Sequence, residues 1–376
     1  MLLLSGPNMG GNELKYVKEC IETGWVSSVG AYVDQFEKMS AEFAGTKYAV
    51  ATSSGTTALH ICLVMMGVSS DDYVIAPNIT FIATLNAIKY TGASPLLIDT
   101  DENNWQMDLN LLEEFLANET EQKNGACHYK KDGRRIPIIM PVHVLGNICD
   151  MERLLAIAKQ YNLIVIEDST EALGSYYKGK HAGSFGLMGT FSYNGNKIIT
   201  TGGGGMIVTD NEALAKKAKH LTTQAKSDPF EYIHDEIGYN YRLVNVAAAM
   251  GVAQMEQLPG FLKRKKEIIA YYKKELADVG DIRFQQVSDD VNPNWWLPTI
   301  FTKKQKEVLK VLNDHKMQSR PFWVPMNQLR MFKNDIYINK NDRSDFLYQH
   351  CLSIPCSTNI TDAEMQGVVD KIIEIF

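Results

Sequence analysis

The chain has 376 residues, 45% hydrophobic and 22% charged, with a formal net charge of −6. That length allows two or three domain-sized units, or one large domain with a smaller companion, and a core that needs neither disulfides nor structural metal. The acidic balance weighs against nonspecific nucleic-acid binding, and no apolar run approaches the length of a membrane span. Six cysteines are scattered without a C-x-x-C pair, which points to reduced thiols in a cytoplasmic protein. The opening MLLLSGPNMGG has no basic n-region and does not read as a signal peptide.

Helical spacing of Phe36, Met39 and Phe43 predicts a helix over Asp34 to Phe43, followed by a strand from Tyr48 to Thr52 and a turn at Ser53-Ser-Gly-Thr56. A buried helix follows from Thr57 to Met66, a strand over Tyr73 to Ala76, a helix over Ile79 to Tyr90 and a strand over Ser94 to Asp99. Residues 122–135, QKNGACHYKKDGRR, read as a solvated surface loop. Then come a strand from Ile136 to Val142, a helix from Met151 to Tyr161, an apolar strand from Leu163 to Asp168, and shorter strands at Gly189 to Tyr193 and Gly205 to Asp210. Wholly apolar strands alternating with helices predict an α/β fold with a mainly parallel sheet covered on both faces. Binding groups belong in the loops beyond the carboxyl ends of such strands. Around Gln257-Leu-Pro-Gly260 the pattern changes to a basic helix, FLKRKKEIIAYYKKEL, whose apolar residues keep helical spacing. Its lysines are a solvated face rather than a nucleic-acid surface, and the rest reads as a smaller α/β domain.

Four features along the larger part carry chemistry. Ser54-Gly55-Thr56-Thr57, between a strand and a helix, offers bare backbone and unpartnered helix N–H groups to an anion. Phe81, after the next strand, suits stacking on a planar ring and equally suits core packing. Glu167 and Asp168 close an apolar strand, where an unpaired carboxylate is costly; one can cap a turn, or pair with a protonated ring nitrogen. Lys197 follows Ser192 and precedes four glycines, Gly202 to Gly205, which leave room beside an amine. An amine for an aldehyde, an acid for a ring nitrogen, a stacking ring and an anion cradle together suit pyridoxal phosphate.

The motifs Ser53-Ser-Gly-Thr-Thr-Ala-Leu59, Glu167-Asp-Ser-Thr-Glu-Ala-Leu-Gly174, Gly183-Ser-Phe-Gly186, Thr190-Phe-Ser-Tyr-Asn-Gly-Asn-Lys197 and Gly238-Tyr-Asn-Tyr-Arg-Leu243 occur in order over nearly the whole chain. They resemble the DegT/DnrJ/EryC1/StrS family of sugar-nucleotide aminotransferases, of fold type I. The resemblance implies amination of a keto group on a nucleotide sugar with L-glutamate as donor. By motif it gives Lys197 the internal aldimine and Asp168 the pyridine nitrogen. Gly55, Thr56 and Ser192 would hold the phosphate, and Phe81 would stack on the ring. It also implies a homodimer in which Asn240 reaches the neighbour's phosphate. Glu171 stands where many members carry glutamine, next to the cofactor. The organisation it implies is an arm over residues 1–30, a cofactor domain over 31–256 and a small domain over 257–376. Trp25, Val26, Ser27 and Ser28 resemble the part of the arm near the sugar nucleotide. Asn294-Trp-Trp-Leu-Pro298 and Ser319-Arg-Pro-Phe-Trp-Val-Pro325 resemble the LegC-type branch, with Arg320 and Trp323 as substrate contacts. That branch implies UDP-4-keto-6-deoxy-N-acetylglucosamine as substrate and UDP-4-amino-4,6-dideoxy-N-acetylglucosamine as product. Related dehydratases carry histidine in place of the lysine, so Lys197 favours transamination over dehydration. A noncatalytic regulator of the same fold is the other alternative. His143, ending a strand, reads as a hydrogen-bonded structural histidine.

Overall fold

A computed structural model describes residues 1–228 and 230–376. Its central sheet contains β1 (Tyr48–Thr52), β2 (Asp72–Pro77), β3 (Ser94–Ile98), β4 (Arg135–Ile139), β5 (Ile164–Asp168), β6 (Met188–Ser192), β7 (Gly205–Thr209) and β8 (Ile336–Ile338). They lie side by side in the order β1–β7–β6–β5–β4–β2–β3–β8. Among these eight only β7 is antiparallel to its neighbours; their other pairings are parallel, and a hairpin over residues 120–129 adds an antiparallel strand to β4. Reversal of β7 therefore brings its amino end to the same edge as the carboxyl ends of β1, β2, β5 and β6.

Eight helices accompany these strands: α1 (Glu13–Thr23), α2 (Ala31–Ala44), α3 (Gly55–Met65), α4 (Ala83–Tyr90), α5 (Leu109–Glu119), α6 (Met151–Gln160), α7 (Glu212–Thr222) and α8 (Asn245–Glu275). Successive side chains of a strand point to opposite faces, and both faces are apolar. Tyr73 and Ile75 of β2 join a core with Leu112 of α5 and Leu154 of α6. Val74 and Ala76 join Leu59 of α3 and Leu85 of α4 on the other side.

Several boundaries differ from the sequence expectation. Helix α3 starts at Gly55, not Thr57, because Ser54 and Thr57 form a reciprocal capping box. Helix α4 starts at Ala83, after a bend over residues 78–80. The expected loop at 122–135 contains a hairpin, Thr120–Lys123 against Ala126–Tyr129. Its turn residues Asn124 and Gly125 have φ of 52° and 76°, as a two-residue Asn-Gly hairpin turn requires.

Helix α8 is 31 residues long and runs through Pro259, so position 256/257 falls inside it. It buries Ala248 and Val252 in one core with Phe36 of α2, and Ile268 and Tyr272 in the same core with Ile300 and Leu352. Those last two lie in a four-stranded antiparallel sheet formed by Arg283–Phe284, Thr299–Phe301, Cys351–Ser353 and Arg320–Pro321. The amino terminus joins this part of the chain. Leu2 N–H donates to Lys316 O, and Leu4 O accepts from Cys356 N–H. All six cysteines are free and buried. Among the described residues no helix is long and apolar enough to cross a membrane.

Candidate active site

The loops at the shared sheet edge surround a cavity of about 260 Å³, lined among others by Gly55, Thr56, Phe81, Ser192, Lys197 and Trp296. That volume lies near the low end of ordinary small-molecule pockets, about 300–1,000 Å³.

On one wall, β1 hands over to α3. Thr57 N–H is taken by Ser54 Oγ at 3.1 Å. The N–H groups of Gly55 and Thr56 have no acceptor within the helix, and both residues line the cavity. Bare backbone is required where β7 begins against this turn, since a Cβ on Gly205 would lie 2.3 Å from Ser54 O. Gly202 answers a different need, with φ of 80°. Between β6 and β7 the loop carrying Lys197 is closed by Tyr193 N–H to Gly204 O at 2.8 Å and Thr201 N–H to Tyr193 O at 3.0 Å.

The two acids at the end of β5 have separate surroundings. Glu167 accepts from the N–H groups of Gly183, Phe185 and Gly186 at 2.8, 2.6 and 2.6 Å. It also meets His143 Nε2 at 2.9 Å. Glu167 thereby holds the Gly183–Gly186 turn, and His143 is buried and hydrogen-bonded as expected. Asp168 accepts from the Thr84 hydroxyl at 2.6 Å and from Thr170 N–H at 3.1 Å. Thr170 lines the cavity, and Asp168 acts electrostatically on Lys197.

Burial pushes the pKa of the Lys197 amine down, opposed by Glu171 and Asp168. Burial pushes Glu171 up to about 7, opposed by the Lys197 charge and by the Leu145 N–H that Glu171 accepts. Glu171 Oε1 and His143 Nδ1 are buried and without a hydrogen-bond partner. Unsatisfied buried polar atoms are uncommon in folded chains, and these lie on residues packed around Asp168. An anion cradle, a half-exposed aromatic ring, a carboxylate and an amine of lowered basicity fit pyridoxal phosphate.

The remaining expected residues lie outside this cavity. Trp25 is 58% exposed and lines a separate hollow with Tyr32 and Asn245. Its carbonyl and that of Ser27 accept from Asn245; Val26 and Ser28 flank them. Arg320 is an exposed residue of the four-stranded sheet, its guanidinium bonded to Ser319 O. Trp323 stands behind the cavity, stacked on Trp296. Asn240 is exposed, beside the end of β1 where Tyr241 O accepts from Ser53 N–H at 2.7 Å. Sequence reasoning missed Thr84, Thr170 and Trp296. No local pattern marks Thr84, Thr170 was read only within the Glu167–Gly174 motif, and Trp296 only as part of a branch motif.

The DegT/DnrJ/EryC1/StrS aminotransferase family model matches residues 7–373. The chain belongs to this family. It is 38% identical over 373 residues to the GDP-perosamine synthase of Escherichia coli O157:H7, covering 98% of this chain and 97% of that one. It is 33% identical over 381 residues to EpsN of Bacillus subtilis (strain 168), provisionally named a pyridoxal phosphate-dependent aminotransferase; 100% of this chain and 96% of that one are covered. The structure of S. venezuelae DesV in complex with a ketimine intermediate superposes with a TM-score of 0.87 at 25% identity, over 97% of this chain and 94% of that one. The protein is a pyridoxal phosphate-dependent sugar aminotransferase on an α/β fold with a mixed, mostly parallel sheet.

Proposed function

We propose that Lys197 carries the cofactor and moves the proton in a transfer of nitrogen from L-glutamate to a keto group on a nucleotide sugar. The observation that carries this reading is an amine of lowered basicity in a cavity shared with Gly55 and Thr56 at the start of α3 and flanked by two buried carboxyl groups. Pyridoxal phosphate, when bound, supplies an aldehyde to take the amino group and a ring to delocalise the charge left by a departing proton.

The chain's own groups do the rest. The N–H groups of Gly55 and Thr56, with the Ser192 hydroxyl, would hold the phosphate at the positive end of α3. Asp168, oriented by Thr84 and Thr170, would keep a proton on the ring nitrogen. Phe81, 53% exposed at the cavity wall, would cover one ring face. Lys197 Nζ, when neutral, would take the proton from the donor carbon and pass it to the cofactor carbon that receives the nitrogen; in the other half of the cycle it would move a proton from that carbon to the sugar carbon. Buried Glu171, near neutrality in its titration, would face the cofactor with its unpartnered Oε1.

The active unit is proposed to be a homodimer. Asn240 lies outside its own cavity, beyond a loop with exposed Phe230 and Ile237, which suits a contribution to a second copy's site. The Trp25–Ser28 segment, exposed through Ser27, and exposed Arg320 suit contact with a sugar nucleotide.

For the sugar, two observations point apart. The Asn294–Pro298 and Ser319–Pro325 motifs favour UDP-4-keto-6-deoxy-N-acetylglucosamine, aminated at C4. The GDP-perosamine synthases, 38% and 35% identical over 98% and 99% of this chain, favour a GDP-linked sugar. Similarity over the whole chain outweighs two short motifs, and the GDP-linked keto sugar is the better supported substrate. The test is to add L-glutamate to the holoenzyme and then offer GDP- and UDP-linked 4-keto sugars separately. Loss of visible absorbance with glutamate and its return with the GDP sugar are expected. No loss with glutamate overturns the aminotransferase reading; return only with the UDP sugar overturns the choice of nucleotide.

A further inference from the structure

Trp296 comes from the C-terminal part of the chain, yet its ring centroid lies 3.7 Å from Lys197 Nζ. The indole is held on every side. Its Nε1–H donates to the carbonyl of Asn196, the lysine's own neighbour, at 2.7 Å. Its backbone N–H donates to Asn294 Oδ1 at 2.9 Å. The Asn294 amide in turn donates to the carbonyls of Glu171 and Leu173 at 2.8 and 2.9 Å. The Trp296 carbonyl accepts from Lys265 Nζ at 2.8 Å, a lysine that is fully buried and not on the solvated face expected of its helix, and Trp323 stacks behind the indole, 6.4 Å between centroids and 18° between planes. A buried indole N–H needs an acceptor, and here that acceptor is the carbonyl next to Lys197. Together these bonds aim one ring face at the amine and lock the aim to the Lys197 loop and the Glu171 loop at once.

An aromatic face attracts an ammonium and not a neutral amine. Burial acts the other way, and the charged groups acting on the amine are Glu171 and Asp168. We propose that Trp296 is a positioning residue for the reaction: its ring seats the Lys197 amine as an ammonium and sets how readily that proton is released. The proposal rests on Lys197 being the reactive amine.

The test reads the amine directly. Full-length, cofactor-free protein is labelled with trace acetic anhydride across pH, and the Lys197 peptide is quantified by mass spectrometry. Each rate is divided by its plateau at alkaline pH, where the amine is neutral and only access matters. W296F and W296L both lose the Nε1–H bond and leave similar voids, but only W296F keeps a ring. At pH 7.5 the normalised rate of W296L should exceed the wild-type rate by about fivefold and that of W296F by less than about twofold. Equal changes in the two variants, or a slower normalised rate in W296L, would overturn the proposal. Should W296L not fold, fluorinated tryptophans at position 296 weaken the ring's negative face while keeping its shape. The normalised rate should then climb with each added fluorine, and a constant rate would refute the seat. Neither amino donor nor sugar is present, so this result is separate from the outcome of the aminotransferase assay.

Discussion

Replacing Glu171 with glutamine should stabilise the chain above neutral pH and leave it unchanged in acid. In the folded protein the Glu171 carboxyl is raised from 4.5 to about 7, chiefly by burial. Between those values the folded state holds a proton that the unfolded state has released, so this residue's contribution to stability falls as pH rises. At ~1.4 kcal/mol per pH unit, the full gap corresponds to about 3 kcal/mol lost by the time the carboxyl ionises. Glutamine cannot ionise, and its carbonyl can still accept the Leu145 N–H that Glu171 now accepts at 2.8 Å. The attraction to Lys197 is already contained in that raised value, which leaves about 3 kcal/mol in favour of the variant at pH 8. Urea denaturation midpoints of cofactor-free wild type and Glu171→Gln, compared from pH 4.5 to 8.5, check this. The difference should open between pH 5 and 8 with the variant ahead. A flat difference, or a wild type that gains on the variant as pH rises, would refute the reasoning.

Two neighbouring substitutions should separate structural from chemical roles. Glu167→Gln removes the charge that three backbone N–H groups share and should lower stability by about 3 kcal/mol, seen as a depressed melting temperature; an unchanged one would show that the Gly183–Gly186 turn stands without it. Thr84→Val deletes the 2.6 Å hydrogen bond to Asp168. Charge-assisted bonds contribute about 1.5–3 kcal/mol, so equilibrium titration should find pyridoxal phosphate bound at least tenfold more weakly, and unaltered affinity would remove Thr84 from the site.

The cradle, the acids and the lysine were legible because each is local: a turn residue beside a helix start, or an acid closing an apolar strand. Alternating apolar strands and helices likewise made the layered sheet legible. Roles within those motifs depended on what the folded chain brings near. Glu167 and Asp168 are adjacent, and only the return of residues 183–186 makes the first a turn holder. The aim of Trp296 at Lys197 joins segments that share no pattern. The change in composition at Gln257 coincides with no break in the backbone, because α8 tolerates Pro259 within its 31 residues. The hairpin at 120–129 was hidden by charge, although Asn124-Gly125 was there to mark it. Strand β8 pairs with β3, carrying the C-terminal part into the large sheet, a long-range pairing no window of sequence displays.

Reduction of the holoenzyme with borohydride, followed by peptide mapping, locates the residue that binds the cofactor covalently. The pyridoxyl label should appear on the peptide containing Lys197 and be absent from the Lys197→Ala protein. Label on another lysine, or on none, would contradict the assignment of the site and everything built around it.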